Sequence, residues 1–349
     1  MADSFRLYIL LAAFIAYAAY IISDGFNIDL GELFKDEAAA KKRSKEIEEE
    51  LIAKSPIVIH EFCGSMGDCY KVMDRAYRFQ DGEMRVQRDI VPEKIQTASL
   101  SQAVLTFPKE LTEANSNTAN WGIDKNVMIT PYVMIMLASG YMIEALTFEK
   151  KTNRILAFGL GGGTLQNYIS QFPKANIDVT TIEIDPVMVE VAETYFANKA
   201  TGSNRIIIAD GIEYAKEIKA KGEIYDYVVL DACSNDKARV VICPIDGFRE
   251  EETIANIAQL INPMGGLVVN IVAYENPEHK EEQIRSLFAK YFASCFLMRI
   301  LPEQRMLICS HRSEWTLASQ RKRFEHNLRN QQEKIGIQVT DPLLSFNPQ

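Results

Sequence analysis

Apolar segments of strand length alternate with segments of helix length between residues 153 and 311, and this alternation restricts the fold more than any other feature. The predicted strands are Arg154–Phe158, Asp178–Glu183, Arg205–Ala209, Tyr225–Leu230 and Leu267–Val272. The predicted helices are Leu165–Gln171, Pro186–Phe196, Ile212–Ala220, Glu251–Ile261 and Pro277–Tyr291. A terminal hairpin, Cys295–Leu301 with Arg305–Cys309, adds an antiparallel edge. This order is typical of a parallel sheet with helices on both faces, so we predict an α/β, Rossmann-like fold.

The segment before this alternation is predicted to be a β-rich N-terminal module over residues 56–120. Its expected strands are Ile57–Ile59, Tyr70–Phe79, Met84–Arg88 and Lys94–Leu105. The apolar run Val127–Leu146 has helical spacing and belongs to the α/β domain, which is assigned residues 121–335. Residues 336–349 are assigned to a tail.

The first 55 residues are predicted to attach the chain to a membrane and to extend it from the surface. Leu7–Ile22 is apolar without interruption and would span roughly 24 Å as a helix. Residues 1–30 are interpreted as a membrane anchor or a cleaved signal segment, and a buried core helix is the third alternative. Residues 31–55, rich in Ala, Glu and Lys, are interpreted as a charged helical stalk.

Two locations follow from these alternatives. Basic residues are commoner after the apolar run, in residues 35–45, than before it, although three acidic residues come first. The positive-inside rule then predicts a membrane-anchored protein whose main domain faces the cytosol. Cleavage after the triplet Ala16–Ala18 would instead place the domain in the secretory lumen or outside the cell.

A glycine-rich turn follows the first strand of the alternation. It consists of Gly159, Leu160, Gly161, Gly162 and Gly163. Glycine in a strand-to-helix turn lets a ligand approach the backbone closely, although many unrelated folds need the same turn. The loop by itself therefore indicates a ligand site only weakly.

Acidic side chains at the ends of the next three strands strengthen this interpretation. Glu183, Asp210 and Asp231 follow one another at these ends, which meet at the ligand-binding edge of an open α/β sheet. Glu183 is predicted to hold ribose hydroxyls, Asp210 to meet an adenine amino group, and Asp231 to lie beside the reacting carbon. A helix cap is the alternative for each acid, above all for Asp210.

The charge of these acids bears on the kind of cofactor. A dinucleotide pyrophosphate would face three carboxylates without a basic residue nearby, and the loop lacks the third glycine of the dinucleotide pattern. A cationic sulfonium cofactor is compatible with the carboxylates. These residues therefore favour a cationic sulfonium cofactor over a dinucleotide.

Composition argues against several other classes of protein. The net charge of −9 is the opposite of the basic excess that nucleic-acid-binding proteins usually carry. The four histidines are scattered and no CxxC pair is present, so no metal site is predicted. A chain of this size does not depend on disulfides, and none is predicted, although Cys295 and Cys309 can face each other across the terminal hairpin.

Four segments in order resemble the spermidine synthase superfamily: ILAFGLGGGTL, QFPKANIDVTTIEIDPVMVEVAETYF, RIIIADGIEYA and YDYVVLDACSND. They are most similar to the spermidine-synthase-like domain of the eukaryotic translation elongation factor 1-alpha methyltransferase family. The resemblance covers residues 120–312 and implies a class I methyltransferase fold with an S-adenosyl cofactor. Homodimers are common in the family, so a homodimer is an expected assembly.

The resemblance also implies roles for single residues in binding the cofactor. The loop Gly159–Gly163 would line its methionine and ribose part, and Glu183 would hold the ribose. Ile184 would pack on the adenine ring. Asp210, followed by Gly211, would bond the adenine amino group.

The matching positions favour methyl transfer over aminopropyl transfer. Asp231 matches the first acid of the spermidine synthase catalytic motif, but Ser234 replaces the second acid. The Tyr-Gln-Glu-Met pattern of aminopropyltransferases is replaced by Tyr132-Val133-Met134-Ile135. Both changes remove polar contacts to a polyamine.

The predicted activity is transfer of a methyl group from S-adenosylmethionine to an amine nitrogen of a protein, at its N-terminus or a lysine. Asp231, assisted by Tyr132, would orient the amine and accept its proton. An aminopropyltransferase and a non-catalytic, membrane-tethered binding protein are the two alternatives.

Overall fold

The computed structural model describes residues 30–94, 99–236 and 238–337, with side chains from residue 37 onward. The predicted membrane segment Leu7–Ile22, the triplet Ala16–Ala18 and the tail beyond residue 337 lie outside the described residues. Among the helices of the described ranges, none has both the length and the apolar character needed to cross a membrane.

The chain divides into two compact units. The smaller unit holds, among the described residues, 30–53 and 108–116. It contains nearly all of helix α1 (Leu30–Lys54), so the helix predicted for the stalk is confirmed. Arg43 on this helix pairs with Glu113 of the same unit. The larger unit holds residues 54–107 and the chain from residue 117.

The larger unit begins with the predicted β-rich module. Its strands are β1 (Ile57–Cys63), β2 (Cys69–Arg78), β3 (Met84–Pro92) and β4 (Ser101–Val104). They form an antiparallel sheet in the order β1-β2-β3-β4. Strand β3 extends four residues past its predicted end because Ile90, Val91 and Pro92 still pair with β2. Residues 93–94 then form a turn, so the strand predicted from Lys94 begins only at Ser101.

The second sheet has the predicted Rossmann-like arrangement. Its strands are β5 (Asn153–Phe158), β6 (Ile177–Glu183), β7 (Asn204–Ile208), β8 (Tyr225–Leu230), β9 (Val241–Cys243), β10 (Ile261–Ala273), β11 (Ser294–Leu301) and β12 (Gln304–Ser310). Their order is β11-β12-β10-β8-β5-β6-β7, with β9 beside β10. Strands β5 to β8 and β10 are parallel, and the terminal hairpin is antiparallel.

Helices cover both faces of this sheet. They are α2 (Pro131–Met142), α3 (Thr164–Ile169), α4 (Pro186–Phe196), α5 (Gly211–Ala220), α6 (Glu251–Gln259), α7 (Pro277–Phe288) and α8 (Leu317–Ile335). Alternate residues of β5 enter different cores: Ile155 and Ala157 pack in the cluster that contains α2 and α8 residues, whereas Leu156 and Phe158 pack with α5 to α7. This alternation is the expected consequence of the two-residue period of a strand.

Several further elements differ from the sequence predictions. Helix α2 starts at Pro131, which occupies the first helical position, and stops at Met142 rather than spanning Val127–Leu146. Strand β10 starts at Ile261, because a shift in register between Ile261 and Gly266 absorbs the turn residues expected to precede it. Strand β9 and helix α8 were not predicted at all.

The prediction of unpaired cysteines is wrong. All six form disulfides, Cys63–Cys69, Cys233–Cys243 and Cys295–Cys309. Two of these bonds join residues that face each other in an antiparallel pair of strands. The size of a chain bears on whether its core needs crosslinks for stability. The register of the paired strands determines which cysteines lie opposite each other.

A buried cation links the first sheet to helix α4 of the Rossmann-like part. Arg88 of β3 is 2% exposed and forms two hydrogen bonds, of 2.8 and 2.9 Å, to the Asp74 carboxylate, which is fully buried. Its remaining donors reach the carbonyl oxygens of Thr118 and of Tyr195 in α4. A buried ion pair is stable only when both charges keep their partners.

Arg88→Met is expected to lower the free energy of unfolding by about 3–5 kcal/mol, because the Asp74 charge is left buried without a partner. Arg85→Met, on the same strand, removes a solvent-exposed ion pair with Asp81 and should cost about 1 kcal/mol or less. Urea unfolding of the two variants measures the difference. Equal losses would contradict the role assigned to Arg88.

Candidate functional site

The carboxyl ends of the parallel strands open into one cavity of about 890 Å³. A volume of this size is typical of small-molecule and cofactor sites. The cavity collects most of the residues that the sequence singled out. These are Tyr132, Gly159, Leu160, Gly161, Glu183, Ile184, Asp210, Gly211 and Asp231.

The first glycine of the loop is required by close packing against the end of β8. Gly159 has φ +96°, and a Cβ there would lie 2.4 Å from the carbonyl oxygen of Asp231. The Asp231 amide in turn donates to the Phe158 carbonyl at 2.9 Å. Backbone contacts therefore hold the glycine loop against the carboxyl end of β8.

Gly162 and Gly163 do not line the cavity, in contrast to the prediction for the whole loop. A Cβ at Gly162 would lie 2.8 Å from the Phe196 ring. Gly163 has φ +70° at the start of α3, and a Cβ there would meet the Asn198 side chain. These two glycines allow the loop to pack on the chain around α4 instead.

Glu183 lies at the end of β6 with 9% of its surface exposed. Its Oε2 accepts from the Leu160 amide at 2.9 Å, and its Oε1 accepts from the Asp185 amide at 3.0 Å. Burial raises the pKa of this carboxyl group, while the backbone donors oppose the rise. Backbone amides fix the carboxylate, which also lines the cavity.

Asp210 caps a helix and also faces the cavity. Its Oδ1 accepts from the Ile212 amide at 2.8 Å and the Glu213 amide at 3.4 Å, which caps helix α5. The residue also lines the cavity. Ile184, which is 45% exposed, presents an apolar surface to the same space.

Asp231 is held by a chain of side chains. The Asn270 amide donates to Asp231 Oδ1 at 2.8 Å, and the Gln304 amide donates to Asn270 Oδ1 at 2.9 Å. The Tyr132 hydroxyl donates to the Leu100 carbonyl oxygen at 3.2 Å and also lies within hydrogen-bonding reach of the Asp231 carboxylate. Burial raises the pKa of Asp231, although both hydrogen bonds work against the rise.

Asn270 and Gln304 were missed by the sequence analysis, although both line the cavity. A signal for Asn270 was present, because it is a polar residue in the middle of the apolar strand Leu267–Val272. A buried polar side chain in such a strand needs a partner, and here the partner is Asp231. Gln304 carried no comparable signal, since it lies at the end of a hairpin strand.

The cavity is strongly acidic. Its acidic lining residues are Asp68, Glu183, Asp185, Asp210, Asp231, Asp246 and Glu303. Arg239 is the one basic side chain among the described lining residues, and it pairs with Asp246 at 2.7 Å. Such a site favours cations over phosphate groups.

One potential set of metal ligands lies in the cavity. Oxygen and sulfur atoms of Asp231, Cys233 and Cys243 lie within 4.8 Å of one another. The two cysteines are joined in a disulfide and therefore supply no thiolate ligand.

Comparison with known proteins gave partial matches. No family model matches the chain. The eEF1A lysine and N-terminal methyltransferase of Danio rerio is 25% identical over 186 residues, which are 52% of this chain and 27% of that protein. The polyamine aminopropyltransferase of Vibrio vulnificus is 30% identical over 171 residues, 48% of this chain and 52% of that protein. The chain thus spans about a quarter of the length of the Danio rerio protein and about half of the length of the Vibrio vulnificus protein.

A solved structure supports the fold. The crystal structure of human methyltransferase-like protein 13 in complex with SAH aligns with a TM-score of 0.50 at 23% identity. The alignment covers 57% of this chain and 93% of that chain. The larger unit therefore has the α/β, Rossmann-like fold of a spermidine-synthase-like methyltransferase, as the sequence predicted.

Proposed function

We propose that the chain is an S-adenosylmethionine-dependent methyltransferase that acts on an amine nitrogen of a protein. The observation that carries this proposal is the arrangement of Glu183 and Asp231 at two strand ends of one acidic cavity. The methyltransferase relatives and the SAH-bound neighbour in fold support it.

The lining residues fit this cofactor. Glu183 lines the cavity, and its carboxylate can accept from ribose hydroxyls in addition to its backbone donors. The surrounding carboxylates favour a positively charged sulfonium group.

The residues around Asp231 supply the groups needed for proton removal. When bound, S-adenosylmethionine provides a methyl carbon with a good leaving group, so the chain must position the amine and keep it neutral. Asp231 accepts the proton of the amine, and its raised pKa makes it a stronger base than an ordinary aspartate. Asn270 and Tyr132 fix the direction of the carboxylate.

A protein amine, at an N-terminus or a lysine, is proposed as the acceptor because the Danio rerio relative is named for both reactions. The Vibrio vulnificus relative favours a second candidate, aminopropyl transfer. Ser234 and Val133 argue against it, because both lie in the cavity lining without the acidic or amide groups that would hold a polyamine.

We propose further that the domain resides in an oxidising compartment, the second of the two predicted locations. Three disulfides that use every cysteine support this location, because cytosolic thiols are kept reduced. Attachment through residues 7–22 and assembly as a homodimer stay predictions.

Glu183→Ala should weaken S-adenosylmethionine binding by about tenfold or more, since a hydrogen bond to a charged group contributes about 1.5–3 kcal/mol. Glu190→Ala, an exposed glutamate of α4 outside the cavity, is the control and should bind normally. Isothermal titration calorimetry with S-adenosylmethionine and its decarboxylated analogue makes the measurement. Normal binding by folded Glu183→Ala, or preference for the decarboxylated analogue, would contradict the proposal.

Asp231→Asn should lower kcat by about 10²–10⁴-fold, the usual contribution of a general base, with little change in cofactor affinity. In the wild type, kcat should rise with pH through a value above the ordinary aspartate pKa of about 3.9, because the base form is needed and burial raises its pKa. Methyl transfer to peptides with a free N-terminus or lysine gives both readouts. An Asp231→Asn variant with full activity would show that the carboxylate is structural.

The native chain should carry no alkylatable thiol before reduction and six after it, because all six cysteines are paired. Mass spectrometry after alkylation in denaturant, on protein isolated from its own cells, makes this measurement. Protease protection and carbonate extraction of membranes identify the compartment and the attachment. Six free thiols, or a domain accessible to protease on the cytosolic side, would overturn the oxidising location.

A further inference from the structure

The Cys233–Cys243 disulfide lies inside the cavity, whereas the other two disulfides do not line it. Cys233 follows Asp231 by two residues. Cys243 is the last residue of β9 and lies opposite Val272 of β10. The bond therefore connects the chain just after Asp231 to the central sheet.

Backbone hydrogen bonds support the same closure. The Ser234 amide donates to the Ile242 carbonyl at 2.9 Å, and the Ile245 amide donates to the Ala232 carbonyl at 3.0 Å. The intervening loop, described at residues 232–236 and 238–240, contributes Ser234, Asn235 and Arg239 to the cavity. The disulfide closes this loop at its base.

The disulfide also touches the reacting carboxylate. Cys233 Sγ lies 3.4 Å from Asp231 Oδ1, the oxygen that accepts the Asn270 amide, and 3.9 Å from Asn270 Nδ2. A disulfide sulfur carries no hydrogen, so this contact is packing and leaves Asn270 as the donor. The sulfur fills the space beside the carboxylate and restricts its rotation.

Charge gives a second reason for a disulfide at this place. A free cysteine titrates near pH 8.5, and a thiolate at 3.4 Å would put a second negative charge against Asp231. A disulfide is neutral at every pH. The bond thus avoids a further negative charge in contact with Asp231.

We propose that the Cys233–Cys243 disulfide is a positioning element of the active site, which holds Asp231 and the loop after it in the geometry required for methyl transfer. The inference rests on the proposed function. It concerns the turnover step rather than cofactor binding, because Glu183 and the glycine loop are held by contacts of their own.

The test compares two pairs of substitutions. Cys233→Ala with Cys243→Ala removes the disulfide in the cavity, and Cys295→Ala with Cys309→Ala removes the one in the terminal hairpin. The pairs are matched, since each joins one buried strand cysteine to one half-buried partner. Alanine introduces no thiol, so the comparison isolates the tether.

The first pair should lower kcat by about tenfold or more, because small displacements of a catalytic group are costly. Its dissociation constant for S-adenosylmethionine should stay within about twofold, and the control pair should change neither quantity. Equal kcat in the two variants, or a matching loss in cofactor affinity, would overturn the inference. Absence of methyl transfer in the wild type would instead count against the proposed function.

A second measurement applies if the first pair fails to fold. A phosphine added to the wild type cleaves the sulfur–sulfur bond, its phosphorus takes the oxygen of water, and the two sulfurs take the two protons. Alkylation and mass spectrometry then identify which disulfide has opened in each fraction. Activity should fall with opening of Cys233–Cys243 and not with opening of Cys295–Cys309, and full activity after the first opening would overturn the inference.

Discussion

The close approach of the glycine loop to the end of β8 is the constraint on which the site depends. A Cβ at residue 159 would lie 2.4 Å from the Asp231 carbonyl oxygen, so this position must be glycine. The Asp231 amide is bonded to Phe158 across the same junction. Because β8 lies beside β5, the loop after β5 and the Asp231 carboxylate after β8 line the same cavity.

The surroundings of the two central acids suit different tasks. Glu183 is anchored by two backbone amides, which orient it as a fixed acceptor for a ligand. Asp231 is anchored on one oxygen by Asn270, and burial raises its pKa. Burial raises the pKa of both carboxyl groups, so the difference between them lies in their donors, which are backbone amides for Glu183 and side chains for Asp231. Two acids of one cavity are thus separated in role by their neighbours.

The parallel strands and the acidic residues at their ends could be predicted from the sequence, because both depend on the pattern of neighbouring residues. Strand and helix periodicity identified all five parallel strands, and acids at strand ends identified Glu183, Asp210 and Asp231. What was missed depends on tertiary register. The partnership of Asn270 with Asp231 requires β10 beside β8, and the pairing of Cys233 with Cys243 requires the unpredicted strand β9. The spacing of residues along the chain indicates neither of these two contacts.

A crystal structure of the chain with S-adenosylhomocysteine tests the central claim most directly. The account predicts that the ribose hydroxyls bond the Glu183 carboxylate and that the sulfur lies over the glycine loop on the side of Asp231. Binding outside this cavity, or an orientation with the adenine against Asp231, would contradict it.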